Sequence, residues 1–199
     1  MPLTLMPHEV LRDINNIQGT KNKEKFIKDN DTPYLQYVLE HAVSPYITFG
    51  VKQYSFAEPL GICDYNDPNA KNAIQFICHN LKTRSLTGHS ALEAIKKASA
   101  QLDAESQYML ACILDKDLKC GIGTKTIQKV FPGLIPSFEV QLAKKDMSKI
   151  TYPCMAEIKS NGRRNIAIVN GIEVKHFSRN GKEQPNFSCF DEELIQISL

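Results

Sequence analysis

Three Asn-Gly pairs, Asn161-Gly162, Asn170-Gly171 and Asn180-Gly181, divide the last part of the chain into short segments that alternate apolar and polar residues. No other feature constrains the fold as much. Asn and Gly accept the left-handed backbone that two-residue hairpin turns need, and alternation matches the two-residue period of a strand. MAEIK, RRNIAIV and IEVKHFS therefore read as an antiparallel meander with turns at the Asn-Gly pairs.

The first of these turns carries an unusual charge pattern. With Asn161 and Gly162 at its centre, Ser160 faces Arg163 and Lys159 faces Arg164. Like charges opposed on one sheet face are destabilising, so a chain that keeps them has a use for them. Counting faces through both two-residue turns puts Glu157, Lys159, Arg164, Phe177 and Arg179 on one side. Such a face is poorly suited to a hydrophobic core and well suited to an anionic, planar ligand such as a nucleotide. Cations around a lysine disfavour its charged form, and a neutral amine is a nucleophile. The arginines could then stabilise charge on phosphate oxygens. On spacing alone a second reading stands beside this one: a solvated edge hairpin whose basic side chains extend into water.

Upstream, the period changes. Val10, Leu11, Ile14 and Ile17 recur at helical spacing behind Pro7; Thr20 is placed to cap a lysine-rich second helix reaching Lys28; Thr32-Pro33 opens a third with Leu35, Val38, Leu39 and Ala42. Residues 46–66 mix Pro59, Gly61 and aromatics and read as irregular. Asp67-Pro68 starts a helix with Ile74, Ile77, Cys78 and Leu81 on one face. Ser90 and Glu93 have the spacing of a capping box before Leu92, Ile95, Ala98 and Leu102, and Asp103 caps a helix with Met109, Cys112 and Ile113. The chain thus reads as multidomain: an all-α domain over residues 1–134, then a smaller α+β part over 135–199 that begins with antiparallel strands.

Within the helical part, DLKCGIGTKTIQKVFPG stands out. Gly121 and Gly123 lead into Thr124 as an N-cap, with Lys125 and Lys129 one helical turn apart. Backbone amides at a helix start, glycines that allow close approach and adjacent lysines suit a backbone phosphate of DNA. A glycine-rich helix connection with a solvated basic face has the same signature. TRSLTGHSALEAI offers a second, weaker basic entry of this kind.

Composition narrows the classes. With 24 basic and 22 acidic residues, net +2, any nucleic-acid footprint must come from local clustering. The six cysteines show no C-x-x-C spacing, which implies reduced, mostly buried thiols in a cytoplasmic protein and no metal site built from them. The amino terminus lacks a basic signal region, and no stretch approaches the ~18 apolar residues of a membrane span, so neither export nor membrane insertion is expected.

The KSNGRR sequence resembles the K-x-D-G-x-R nucleophile motif of the ATP-dependent DNA ligases, within the covalent nucleotidyltransferases. LRDINNIQGTKNKEKFI, LKTRSLTGHSALEAI, DLKCGIGTKTIQKVFPGLIP and HFSRNGKE extend the resemblance along essentially the whole chain. It implies a helical DNA-binding domain followed by the opening strands of an adenylation domain. It also implies that Lys159 forms a lysyl-AMP intermediate, that Glu157 contacts adenine, and that Arg164 and Arg179 hold the nucleotide. ATP, Mg2+ and nicked duplex DNA would be the partners, and the chain would act as a monomer. The family motif has aspartate where this chain has Asn161, which removes a carboxylate. The family's later D-G-E motif, a further glutamate, a lysine pair and an OB-fold domain have no counterpart in the 199 residues. The resemblance is therefore to an amino-terminal portion, expected not to seal nicks alone and to need a carboxy-terminal half. The alternatives are a DNA-binding module without catalysis, and an RNA ligase or capping enzyme, against which the helical amino-terminal part argues.

Overall fold

The computed structural model describes residues 5–60, 68–136, 148, 150–155 and 162–198. The chain forms two compact units, residues 1–136 and 137–199.

The first unit is helical. Its helices are α1 (Pro7–Asn16), α2 (Thr20–Asp29), α3 (Pro33–Val43), α4 (Pro68–Lys82), α5 (Gly88–Ala100), α6 (Ala104–Leu114) and α7 (Thr124–Val130). α6 is central because it is apolar nearly all round: Ser106, Met109, Leu110, Cys112, Ile113 and Leu114 are buried, and it packs on α1, α3 and α4. The amphipathic helices present the stripes expected of them. Val10, Leu11 and Ile14 of α1, Leu35, Val38, Leu39 and Ala42 of α3, and Ile74, Ile77, Cys78 and Leu81 of α4 all lie in one core.

Caps decide where several helices begin. Thr32 accepts from the Leu35 N–H at 3.0 Å, and Asp103 accepts from the Ser106 N–H at 2.8 Å, so both expected caps form. Four other expectations miss. Gly19 and Gly123, not Thr20 and Thr124, are the N-cap residues of α2 and α7. Ser90 does not cap α5: the N-cap is Thr87, three residues earlier, and the Ser90 hydroxyl donates back to the Thr87 carbonyl at 2.7 Å. Leu92 of the same helix stays 37% exposed rather than joining the core.

Residues 46–60 contain no helix or strand, as their composition suggests, yet they are held firmly. Ile47 and Phe49 are buried, and side chains of neighbouring helices fasten the rest. The Ala57 N–H donates to Ser99 Oγ at 3.0 Å, Gln107 Nε2 donates to the Ala57 carbonyl at 3.0 Å, and Tyr54 donates to Asp115 at 2.6 Å. Lys116 Nζ closes the end of α3 by donating to the His41 and Ser44 carbonyls at 2.7 and 2.8 Å.

The second unit holds β1 (Asn165–Asn170), β2 (Glu173–Ser178), a 3-10 helix (Pro185–Phe190) and α8 (Asp191–Ser198). β1 and β2 pair antiparallel from Asn165↔Ser178 to Asn170↔Glu173. The connecting residues are therefore Gly171 and Ile172, one step later than the expected Asn170-Gly171 turn. Gly171 takes a φ of 62°, the left-handed conformation that glycine adopts without a Cβ clash. Residues 156–161, which include the expected first strand and most of the first turn, lie outside the described residues.

Candidate functional site

The hairpin has two unlike faces. Asn165, Ala167, Val169, Val174, His176 and Ser178 share one face by alternation and register. The 3-10 helix and α8 cover it: the His176 ring lies 5.9 Å from that of Phe187, and its Nε2 is 2.7 Å from Asp191 Oδ1. Ile166, Ile168, Glu173, Lys175 and Phe177 share the other face, where Ile168 is half exposed and Lys175 pairs with Glu173 at 2.9 Å.

Between β1 and β2 the shifted turn preserves the expected alternation. Moving the connection by one residue displaces the pairing by two, which returns every side chain to the same side. Arg164 and Arg179 stand one residue beyond the terminal pair Asn165↔Ser178, outside the paired register. Both are exposed. Arg179 opens a three-residue loop: the Gly181 N–H donates to the Ser178 carbonyl at 2.9 Å, and the Ser178 N–H donates to the Lys182 carbonyl at 2.7 Å. The chain then runs back beside β2, with Phe177 bridged to Glu183 and the Gln184 N–H donating to the His176 carbonyl at 2.8 Å. Arg163 donates to Gln184 Oε1 at 3.2 Å. Phe177 thus lies on the face opposite the one that α8 covers, with Arg164 and Arg179 flanking the end of the hairpin. Glu157 and Lys159 lie outside the described residues.

One feature of this unit escaped the sequence reading. His176, 5% exposed, is the most deeply buried side chain described in it and is wholly committed to hydrogen bonds. Its Nδ1 lies 2.8 Å from the Asn165 side-chain amide, and its Nε2 lies 2.7 Å from Asp191 Oδ1. The imidazole ties β1, β2 and the start of α8 together. Its inward position in the alternation of β2 was a signal, but its partners are eleven and fifteen residues away in sequence.

In the first unit, the glycine turn ahead of α7 is braced from two helices. Asn15 donates to the Lys119 carbonyl at 3.1 Å and Lys23 donates to the Cys120 carbonyl at 3.0 Å. Gly121 takes a φ of 68°, and a Cβ there would sit 3.4 Å from Lys23 Nζ. Lys125 and Lys129 are both exposed; Lys129 pairs with Glu24 of α2 at 3.3 Å. Cys78, Cys112 and Cys120 are buried, Cys154 and Cys189 are exposed, and Cys63 lies outside the described residues. Burial pushes the Cys78 thiol up to about 12 and the Cys120 thiol up to about 11, so neither is a nucleophile at neutral pH.

No family model matches the sequence. DNA ligases of Enterobacteria phages T4 and T6 are each 29% identical over 203 residues, covering 96% of this chain and 41% of their own length. The likeness is to DNA ligases. Two solved structures, titled "Pmar-Lig_PreS3" and "Pmar-Lig_Pre.", superpose with TM-scores of 0.76 and 0.77 at 28% and 29% identity, over 97% of this chain and 46% of theirs. The chain therefore spans less than half the length of the ligases it resembles. No helix among the described residues is long and apolar enough to cross a membrane.

A ligase-like reaction would call for carboxylates gathered around Mg2+. Among the described residues no group of three or more His, Cys, Asp or Glu side chains is placed to hold a metal. In the second unit Glu173 is paired to Lys175 and Asp191 to His176. These residues do not fit a magnesium site.

Proposed function

We propose that the chain is the amino-terminal part of an ATP-dependent DNA ligase. Residues 1–134 would grip duplex DNA, and residues 135–199 would carry the nucleophile and part of the nucleotide site. The observation that carries this reading is the end of the hairpin: Phe177 lies on the face away from α8, and Arg164 and Arg179 flank the Asn165↔Ser178 pair in a chain with KSNGRR immediately before β1. The Phe177 side chain offers a planar apolar surface, and the two guanidiniums offer donors for phosphate oxygens. Glu157 would contact adenine. Lys159 Nζ would attack the α-phosphorus of ATP, forming a P–N bond as the P–O bond to pyrophosphate breaks, with the amine proton lost to solvent. The AMP would pass to the 5′-phosphate of a nick, restoring the lysine, and the nick's 3′-hydroxyl would then displace AMP to seal the strand. Gly121, Gly123, Thr124, Lys125 and Lys129 would hold a backbone phosphate of the duplex.

Asn161 in place of aspartate removes a carboxylate beside the lysine, and the reading does not require this chain to seal nicks unaided. A separate carboxy-terminal half would supply what the matching part of the ligases leaves out. The test is intact mass spectrometry after incubation with ATP and Mg2+: an AMP adduct forms on the wild type and is absent from Lys159→Ala. If no adduct forms, with or without an added carboxy-terminal half, the enzyme reading falls. A second reading, a DNA-binding module without catalysis, is favoured by the contrast between the full core of the first unit and the sparse burial in the second. It predicts salt-dependent duplex binding with no adduct.

A further inference from the structure

α2 carries more positive charge than its own stability can use. Only Ile27 of its ten residues is buried, and four of the ten are lysines. Lys23 is engaged with the Cys120 carbonyl at 3.0 Å. The other three, Lys21, Lys25 and Lys28, are exposed and fall at i, i+4 and i+7, a single stripe along the helix, and none makes an ion pair among the described residues. Like charges at this spacing repel. The first turn of α2 also holds no acidic residue, so Lys21 sits unfavourably at the positive end of the helix dipole.

The stripe borders the Glu24 edge of α2, which meets α7, and lies across the helix from Lys23, which reaches the glycine turn. Lys21 and Lys28 stand three residues before and four after Glu24, which makes them its neighbours on the helix surface, and Glu24 holds Lys129 of α7 at 3.3 Å. α2 packs along α7, and Lys125 precedes Lys129 by one helical turn. We infer that Lys21, Lys25 and Lys28 form a second phosphate-binding track, continuous with Lys125 and Lys129, that follows the backbone of one strand of duplex DNA. The stripe is about 10 Å long, which matches about three phosphate steps of a strand in axial rise. Glu24 holds the two helices together without facing the track alone. This inference rests on the DNA-binding half of the proposed function and adds a surface to it.

Fluorescence anisotropy of the full chain on a short nicked duplex, across a series of salt concentrations, tests the assignment. Three proteins are compared with wild type: K21Q/K25Q/K28Q, K125Q/K129Q, and a control, K52Q/K96Q/K97Q, which removes three exposed lysines elsewhere. The stripe variant is expected to weaken binding roughly tenfold or more, and to lower the slope of log affinity against log salt by about 2 to 3, near 0.9 per lost phosphate contact. The control slope stays near wild type. Thermal melting separates binding from folding, because removing mutually repelling lysines leaves α2 equally or more stable. Equal losses in stripe and control variants would overturn the track as mere net charge. Loss in K125Q/K129Q with an unchanged stripe variant would overturn it while leaving the DNA-binding reading in place. Wild type that binds no duplex at any salt would overturn both. Equally tight, equally stripe-dependent binding to vesicles of anionic lipid would reassign the surface away from DNA.

Discussion

The two units are held together by different physics. The first buries an uninterrupted apolar cluster from Val10 to Ile135, centred on a helix with almost no polar face. In the second, the one fully buried side chain among the described residues is a histidine, while Tyr152, Met155, Ile172 and Ile197 are all more than 80% exposed. Burial of apolar area is non-directional and stabilises in proportion to surface removed from water. A polar clamp such as His176 contributes less and depends on geometry. The comparison teaches that DNA gripping and nucleotide chemistry would sit on regions of unequal robustness, with the candidate nucleotide face on the weaker one.

The most disruptive way to probe this is Leu110→Ala, at the centre of α6. It is expected to destabilise the first unit by about 2–5 kcal/mol through the cavity left behind. Denaturant melts followed by helical circular dichroism measure it, and the β1–β2 amides should keep their hydrogen-exchange protection. Simultaneous loss of that protection would break the comparison. His176→Ala comes next. It strands Asp191 and Asn165 without their shared partner, and should cost about 1–3 kcal/mol locally. The amides of α8 exchange faster while the melting of the first unit is unchanged; an unaltered α8 would show that the clamp is dispensable.

Acidification separates the units by a titration. Burial holds His41 of α3 down at about 4, against an ordinary 6.5, with its Nδ1–H donating to the Tyr37 carbonyl at 3.0 Å. The unfolded chain therefore binds a proton that the folded one refuses. Stability of the first unit falls as pH drops from 6.5 towards 4, by roughly 1–2 kcal/mol after allowance for solvent screening. His41→Gln should flatten this slope in melts across the range, and a slope unchanged in that variant would assign the effect elsewhere. The mildest probe is Gly171→Ala, which forces a left-handed φ of 62° on a residue with a Cβ. A local cost of about 1 kcal/mol is expected, read as faster exchange at the Asn170 end of the hairpin.

Legibility followed the range of the interactions. Helical periodicity located α1, α3, α4 and α6, because an apolar stripe must face a core whatever that core is. Thr32 and Asp103 were readable caps because their partners lie three residues away. Ser90 and Thr124 misled for the complementary reason: polar residues with cap chemistry occur within a first turn as well as before it, and glycine or threonine took the boundary instead. The Asn170-Gly171 turn was displaced by one residue, but the two-residue period of a strand kept Ile166, Ile168, Lys175 and Phe177 on one face regardless.

By itself, then, the sequence determined the change of period along the chain, the core stripes of the helices and the alternation of the β1–β2 hairpin. Each follows from repeats short enough to be counted along the chain. Tertiary structure alone decided that residues 46–60 are fastened through Ser99, Gln107 and Asp115, that Lys23 and Asn15 brace the glycine turn, and that His176 pins α8 through Asp191. Those contacts join side chains whose separation in sequence bears no relation to any local period, so only the packed chain brings them within hydrogen-bonding distance.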